Sequence, residues 1–210
     1  GGGDNPHPAT DVRVDVRPTA TTHFQHDLAA TPWPIKDEDF DGVYAAYVLE
    51  HLPYSSVPAF LAECLRVLKP GGSVVLVLPN TEAQMTWIWE HPEGWDGKAS
   101  FEAASEVLYG SQDMPGPEGD ANTHKAYFSP FVIEGLMERA GFAEVNVQPY
   151  NERGTDMVVT AVRPTRPAVI SGAIPLGMFP ERPKPGDEKW ESYVRSELFM
   201  LDQEVREIPW

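Results

Sequence analysis

Two apolar runs with an amphipathic segment between them constrain the fold more than any other feature of this sequence. FDGVYAAYVL (40–49) is rich in aromatic and β-branched residues, which is typical of a strand buried on both faces, and SVVLVLP (73–79) is also apolar. Between them, SSVPAFLAECLRVL (55–68) repeats apolar residues at three- and four-residue spacings, which predicts a helix with one apolar face. A strand, a helix and a second strand in this order predict a parallel pair with a helical crossover.

The predicted helix carries its own start and stop signals. Ser55 or Ser56 can cap its first turn, and Pro58 suits a position inside that turn. The glycines of KPGG (69–72) are expected to end the helix in a left-handed turn.

Further segments extend the pattern on both sides. VRVDV (12–16) and HFQHDL (23–28) are predicted strands, and SPFVIEGLMERAGF (129–142) is a predicted helix. AEVNVQPY (143–150) and DMVVTAVRP (156–164) are predicted to form an antiparallel hairpin. We therefore expect an α/β protein with a Rossmann-like, doubly wound, mostly parallel sheet that ends in an antiparallel hairpin. Such sheets bind ligands at the carboxyl ends of their strands.

Composition divides the chain into a domain and an extension. Residues 1–163 are predicted to form the α/β domain, with a less regular insertion at 81–128 on the substrate side. Residues 164–210 begin with a proline-rich arm and end in a predicted amphipathic helix. Because the apolar stripe of that helix must be buried, we expect self-association or a protein partner through 164–210, unless the helix covers its own domain.

The charge balance excludes some partners. The chain has 32 acidic and 16 basic residues and a net charge of −16, whereas nucleic-acid-binding proteins usually present a basic surface. We therefore expect neither nucleic acid nor membrane as a partner, and no apolar run has the length of a bilayer span. Cys64 is the only cysteine, so no disulfide forms within the chain, and a cytoplasmic location is expected.

An ordered set of motifs resembles class I S-adenosyl-L-methionine (SAM)-dependent methyltransferases of the small-molecule type. FDGVYAAYVLEHLP (40–53) is followed by LRVLKPGGSVVLVLPN (65–80), and Asp15, Asp27 and the AGF that ends the late helix take matching places. The resemblance covers about residues 1–162. It implies a Rossmann-like fold, SAM as the cofactor and methyl transfer as the activity.

The resemblance implies that a glycine loop wraps the amino-acid end of SAM, and Gly1, Gly2 and Gly3 match it. Glycines let the backbone approach a ligand closely, although the same residues could be a tag remnant. Asp15 matches the acid that accepts from both ribose hydroxyls, and the alternative is a solvated strand end. In the family a buried strand precedes this loop. We expect Gly1 to Gly3 to hold SAM only if residues before Gly1 in the native chain, or another segment, take the place of that strand.

Further cofactor contacts follow from the same resemblance. Asp27 matches the acid that accepts from the adenine amino group, with the Leu28 amide beside it, and the alternative for Asp27 is a loop cap. Ala46 and Tyr47 end a strand where the ligand should lie, and Tyr47 could contact the sulfonium through its ring or simply line the pocket.

The remaining candidates face the methyl acceptor. His51 is the candidate general base, because imidazole titrates near neutral pH, and its alternative role is to fix the loop. Glu50 borders the same region in relatives. Trp87, His124 and Lys125 are predicted to contact the substrate, with core packing for Trp87 and a solvated surface pair for the other two as alternatives.

These observations predict SAM-dependent methyl transfer to an oxygen or nitrogen of a small-molecule or saccharide acceptor. The histidines show no metal-ligand spacing, so no metal site is predicted. The alternative function is a catalytically silent binding or structural protein that keeps the methyltransferase scaffold and acts through its C-terminal arm.

Overall fold

The computed structural model describes residues 12–94, 98–110 and 121–165 of the chain. Gly1 to Gly3 and nearly all of the predicted arm lie outside these residues. The strands are β1 (Val14–Asp15), β2 (Phe24–Gln25), β3 (Phe40–Ala46), β4 (Leu68–Pro79), β5 (Ala143–Pro149) and β6 (Asp156–Val162). The helices are α1 (Val57–Val67), α2 (Thr81–Glu90), α3 (Ser100–Tyr109) and α4 (Pro130–Ala140), with 3₁₀ turns at Leu49–His51 and Tyr54–Ser56.

Four strands form the main sheet in the order β3-β4-β6-β5. β3 and β4 pair in parallel across α1, whereas β6 runs antiparallel to both β4 and β5. The α/β class and the antiparallel hairpin are therefore confirmed. The main sheet itself is mixed, with one parallel and two antiparallel pairs among its described strands.

β1 and β2 pair with each other in a separate two-stranded parallel sheet. Among the described residues, no main-chain pairing joins this small sheet to β3. The sequence predicted all parallel strand pairs in one sheet, whereas the β1–β2 pair and the β3–β4 pair lie in two separate sheets.

The start of α1 agrees with the sequence, but its end does not. Pro58 occupies the first turn, although the Ser56 side chain makes no capping hydrogen bond. The KPGG glycines were expected to end the helix, and this prediction is wrong. The helix ends at Val67, and Leu68 after it is already extended (φ −73°, ψ 140°), because the chain turns directly into β4. The glycines lie instead in an irregular stretch of β4, where Phe40 pairs with Leu68 and Gly42 with Ser73.

The end of the domain follows its sequence signals closely. Ser129 caps α4 by accepting from the Val132 amide at 3.3 Å, and Pro130 opens the helix. Gly141 ends it in the left-handed region at φ 101°. α1 and α4 pack against each other, and α4 also contacts β5. Alternate residues of β4 and β6 supply the sheet side of this core: Val74, Leu76, Leu78, Met157, Val159 and Ala161.

Candidate functional site

Three chain segments meet at the carboxyl edge of β3 and β4. β6 is antiparallel to β4, so its first residue, Asp156, lies opposite the last residue of β4, Pro79. The Tyr47 amide extends the β3–β4 pairing by donating to the Val77 carbonyl at 2.8 Å. Residues that follow β3 and β4 therefore lie beside residues that precede β6, at the edge where parallel strands present ligand-binding loops.

Tyr47 turns the chain out of β3 and reaches across this edge. Its backbone is in the left-handed region at φ 53°, which is uncommon for a residue other than glycine. Its hydroxyl donates to Oδ2 of Asp156 at 3.0 Å, and Nδ2 of Asn151 donates to the same oxygen at 2.9 Å. Desolvation raises the pKa of Asp156, and the two hydrogen bonds partly oppose this rise.

The 3₁₀ turn after Tyr47 is joined to a segment far along the chain. The Glu50 carbonyl accepts from the Lys125 amide at 2.6 Å and from the Ala126 amide at 3.1 Å. The Phe128 carbonyl accepts from the Thr81 amide at 2.9 Å, just beyond β4. The segment 122–128 therefore lies across the carboxyl edge and covers the residues that follow β3 and β4. We call it the covering segment.

The Glu50 carboxylate is buried at this junction. Glu50 is only 2% exposed, and neither carboxylate oxygen has a hydrogen-bond partner among the described residues. Desolvation raises the pKa of Glu50 to about 8, and the nearby charge of Asp156 contributes to the rise. A carboxylate in this environment holds a proton or requires a cation.

His51 lies beside Glu50 with one tautomer favoured. Its Nδ1 is 3.2 Å from the Thr123 carbonyl, which can only accept, so Nδ1 carries the proton and Nε2 keeps its lone pair. Nε2 is 3.8 Å from Oε1 of Glu50. Burial lowers the pKa of His51, which favours the neutral imidazole near neutral pH.

His124 completes the cluster from the covering segment. Its ring packs edge-on against His51 with 5.1 Å between ring centroids. Its amide donates to the Tyr109 carbonyl at 2.9 Å, which fixes the segment against the end of α3. Lys125 follows it and acts electrostatically on His51. The structure thus brings together four of the predicted residues: Glu50, His51, His124 and Lys125.

Trp87 makes different contacts. Its ring stacks on His91 with 3.7 Å between centroids, and the Arg153 guanidinium lies 5.0 Å from the ring centroid. Trp87 thereby connects α2 to the turn between β5 and β6. Its substrate contact remains a prediction beside this packing role.

The predicted cofactor acids lie on the small sheet. Asp15 ends β1, is 4% exposed, and accepts from the Arg17 amide at 2.8 Å through Oδ1. A carboxylate at the carboxyl end of a strand can accept from the two ribose hydroxyls of SAM, so its acceptor oxygens fit the cofactor. Asp27 is exposed and accepts from the Ala29 amide at 2.9 Å, as a loop-capping aspartate does. Leu28 beside it is half-buried, and its carbonyl accepts from Nε1 of Trp33 at 3.2 Å.

Ala46 is the last residue of β3 and is half-buried. Two residues that sequence reasoning missed also belong to this edge. Asp156 was seen only as the start of a strand, and the backbone carbonyl of Thr123 carries no side-chain signal. β6 runs antiparallel to β4, so β6 begins at the edge of the sheet where β4 ends. This rule points to the first residue of the late hairpin strand as a member of that edge.

Residues 9–76 match the family model of a methyltransferase domain. This part of the chain is therefore similar to a methyltransferase domain. No curated protein matches the sequence. Among the described residues, none of the helices has both the length and the apolar character required to cross a membrane.

Several solved structures are similar to the chain at low identity. A SAM-dependent methyltransferase from Thermotoga maritima is 18% identical, with a TM-score of 0.42, over 63% of this chain and 59% of that protein. A SAM-dependent methyltransferase from Methanosarcina mazei is 16% identical, with a TM-score of 0.43, over 72% and 74% of the two chains. Human N-acetylserotonin methyltransferase, solved with SAM, is 16% identical, with a TM-score of 0.40, over 71% and 36%. The chain thus spans less than two thirds of the Thermotoga protein, and the similarity concerns the fold alone.

Proposed function

We propose that this protein transfers the methyl group of SAM to an oxygen or nitrogen of a small-molecule or saccharide acceptor at the carboxyl edge of β3 and β4. The observation that carries the proposal is the Glu50–His51 pair, which lies at this edge in a chain whose residues 9–76 match a methyltransferase domain. SAM supplies an activated methyl group, so the protein must chiefly hold the acceptor in line with it.

His51 is the proposed general base for a hydroxyl acceptor. Its Nε2 lone pair is free to accept a proton because Nδ1 is held by the Thr123 carbonyl. When the imidazole gains that proton, the Glu50 carboxylate, with Oε1 at 3.8 Å, can stabilise the positive charge.

The charges of the site favour neutral or cationic acceptors. Asp156 and, when it is ionised, Glu50 place negative charge at this edge, which disfavours a bound phosphate or carboxylate group. The Tyr47 ring, 44% exposed, offers a surface against which a sugar or a flat acceptor can pack.

Asp15, Asp27 and Leu28 are the proposed contacts for the nucleoside end of SAM, with Ala46 and Tyr47 beside the methionine end. Asp15 is the sharpest test, because it is buried at the end of a strand. Replacing Asp15 by Asn exchanges one acceptor oxygen for an NH₂ donor, and this group cannot accept a hydrogen bond from a ribose hydroxyl.

The experiment is a calorimetric titration with SAM and with its product, S-adenosylhomocysteine, in the presence of a chelator. We expect binding by the unmodified protein and a loss of at least about tenfold in affinity for Asp15→Asn, equivalent to about 1.4 kcal/mol. Asp41→Asn is the matched control, because the Asp41 side chain forms an exposed ion pair with Lys69, away from the predicted cofactor contacts. A folded protein that binds neither ligand would contradict the proposal.

The non-catalytic alternative has one observation in its favour: the described part of the chain holds β1 and β2 apart from the main sheet. Normal SAM binding without product formation across hydroxyl and amine acceptors would support that alternative. Self-association or partner binding through residues 164–210 is a separate part of the proposal. Light scattering of the full chain tests the self-association.

A further inference from the structure

Three side chains that commonly bind metals converge between the end of β3 and the covering segment. One ligand atom each from Glu50, His51 and His124 lies within 4.8 Å of the ligand atoms of the other two. From this geometry we propose that Glu50, His51 and His124 bind a divalent first-row transition metal ion, for which Zn²⁺ is the test ion. The site does not depend on SAM, so this inference stands apart from the proposed function.

The burial of Glu50 is an independent observation that points to a ligand. Its carboxylate is withdrawn from water, and neither oxygen has a hydrogen-bond partner in the described residues. A buried carboxylate that makes no hydrogen bond is costly to maintain, and proteins usually compensate such a group with a counter-charge or a metal ion. Asp156 lies close enough to interact electrostatically with Glu50, which adds repulsion that a bound cation would relieve.

The His51 imidazole is oriented as metal-binding histidines usually are. Nδ1 of His51 donates to the Thr123 carbonyl at 3.2 Å, which directs the Nε2 lone pair toward Glu50. The His124 ring lies near the main-chain carbonyls of Leu108 and Val107, at the end of α3. Metal-binding histidines typically donate their other ring N–H to a backbone carbonyl or a carboxylate, because this contact fixes the tautomer and the ring plane.

The ligand set selects the class of metal. Two imidazole nitrogens and one carboxylate oxygen suit Zn²⁺ and neighbouring transition ions, whereas Mg²⁺ and Ca²⁺ prefer oxygen ligands. Three protein ligands leave at least one coordination position for water or a substrate atom, as in catalytic zinc sites.

A bound cation would change what His51 can do. Its Nε2 cannot ligate a metal and accept a proton at the same time, so the metal-bound and metal-free proteins would handle an acceptor differently. A hydroxyl bound at the open position would be acidified by the cation, and this would remove the need for a base. Only this consequence rests on the proposed function.

The test is a calorimetric titration of the chelator-treated full chain with Zn²⁺, without SAM. We expect one equivalent to bind and the melting temperature to rise. Glu50→Gln, His51→Gln and His124→Gln should each weaken binding by at least about tenfold, because each removes a ligand. Glu50→Gln keeps the shape of the side chain, and circular dichroism verifies that each variant is folded.

His23→Gln is the matched control, because His23 is exposed and directly precedes β2 of the small two-stranded sheet. It should bind Zn²⁺ like the unmodified protein. The Co²⁺ form gives a second readout, since its visible absorption reports nitrogen and oxygen coordination and should change in the His51 and His124 variants. Absence of Zn²⁺ binding, or a loss in His23→Gln equal to that in His51→Gln, would overturn the proposal.

Discussion

The Tyr47 hydroxyl donates a hydrogen bond of 3.0 Å to Oδ2 of Asp156 and joins the end of β3 to the start of β6. The contact spans 109 positions of sequence. Because Asp156 also accepts from Asn151, this carboxylate organises the turn that precedes β6.

Tyr47→Phe should lower the free energy of unfolding by about 1 kcal/mol, since a half-buried carboxylate loses one donor. The pKa of Asp156 should rise further, because the hydrogen bond from Tyr47 lowers it. Urea denaturation measures the first effect and carboxyl NMR titration the second. Tyr54→Phe is the control: Tyr54 is 75% exposed, and its change should stay within about 0.5 kcal/mol. Equal effects in the two variants would argue against the contact.

Glu63 provides a prediction of pH dependence. Its Oε2 accepts from the Trp33 amide at 2.6 Å, and both carboxylate oxygens accept from the Arg66 guanidinium at 2.7 Å. The hydrogen bond from Arg66 is the largest cause that lowers the pKa of Glu63 in the folded protein. The stabilisation is therefore fully present above the unfolded-state pKa of about 4.3 and is lost as the pH falls through the lower folded-state value.

Glu63→Gln should destabilise the protein by about 1–3 kcal/mol at pH 7. The difference from the unmodified protein should shrink as the pH falls below about 4, because Glu63 then becomes protonated. Denaturant titrations across this pH range measure it. Asp37→Asn removes the exposed partner of the same Arg66 and should cost about 0.5 kcal/mol or less. A Glu63→Gln deficit that does not vary with pH would contradict the assignment.

Gly110 allows the covering segment to approach the end of α3. Its φ is 73°, and a Cβ at this position would lie 2.1 Å from the Asn122 carbonyl oxygen and 3.0 Å from the His124 ring. Gly110→Ala should therefore destabilise the protein by about 1–3 kcal/mol and displace His124.

Thermal unfolding and Zn²⁺ titration together measure this effect. Gly42→Ala is the matched control in β3, where the nearest atom to an added Cβ is the Ser73 carbonyl oxygen at 3.7 Å. It should leave Zn²⁺ affinity unchanged. If Gly110→Ala binds Zn²⁺ normally, the close approach of the segment 122–124 to the end of α3 does not position His124 as a metal ligand.

Asp27→Asn separates the two roles considered for Asp27. Asparagine can still accept from the Ala29 amide, so the loop and the free energy of unfolding should stay within about 0.5 kcal/mol of the original. Its second side-chain group becomes a donor, which opposes the adenine amino group, and SAM affinity should fall about tenfold. Calorimetry measures this affinity. Unchanged SAM affinity would leave Asp27 as a loop cap only.

Much of the fold could be predicted because local signals and the global structure agree. α4 begins after the predicted serine cap and ends at the predicted left-handed glycine. The strands of the late hairpin alternate their side chains with the predicted period of two residues. α2 was missed, although Asn80 before it caps the Ala83 amide, because the tryptophan-rich stretch has no clear helical period. The KPGG prediction was wrong because two glycines signal a turn without indicating whether a helix or a strand contains it.

The sequence alone determined the order of the strands, the βαβ unit, the late helix α4 and the resemblance to SAM-dependent methyltransferases, because these depend on periodicity and on motifs within short segments. Tertiary structure alone decided that His124 packs beside His51 and that both main-chain amides of 125–126 bind the Glu50 carbonyl. It also decided that the Glu50 carboxylate is buried with no hydrogen-bond partner among the described residues. Burial and hydrogen bonding between segments far apart in sequence depend on how the elements pack, and no local pattern encodes them.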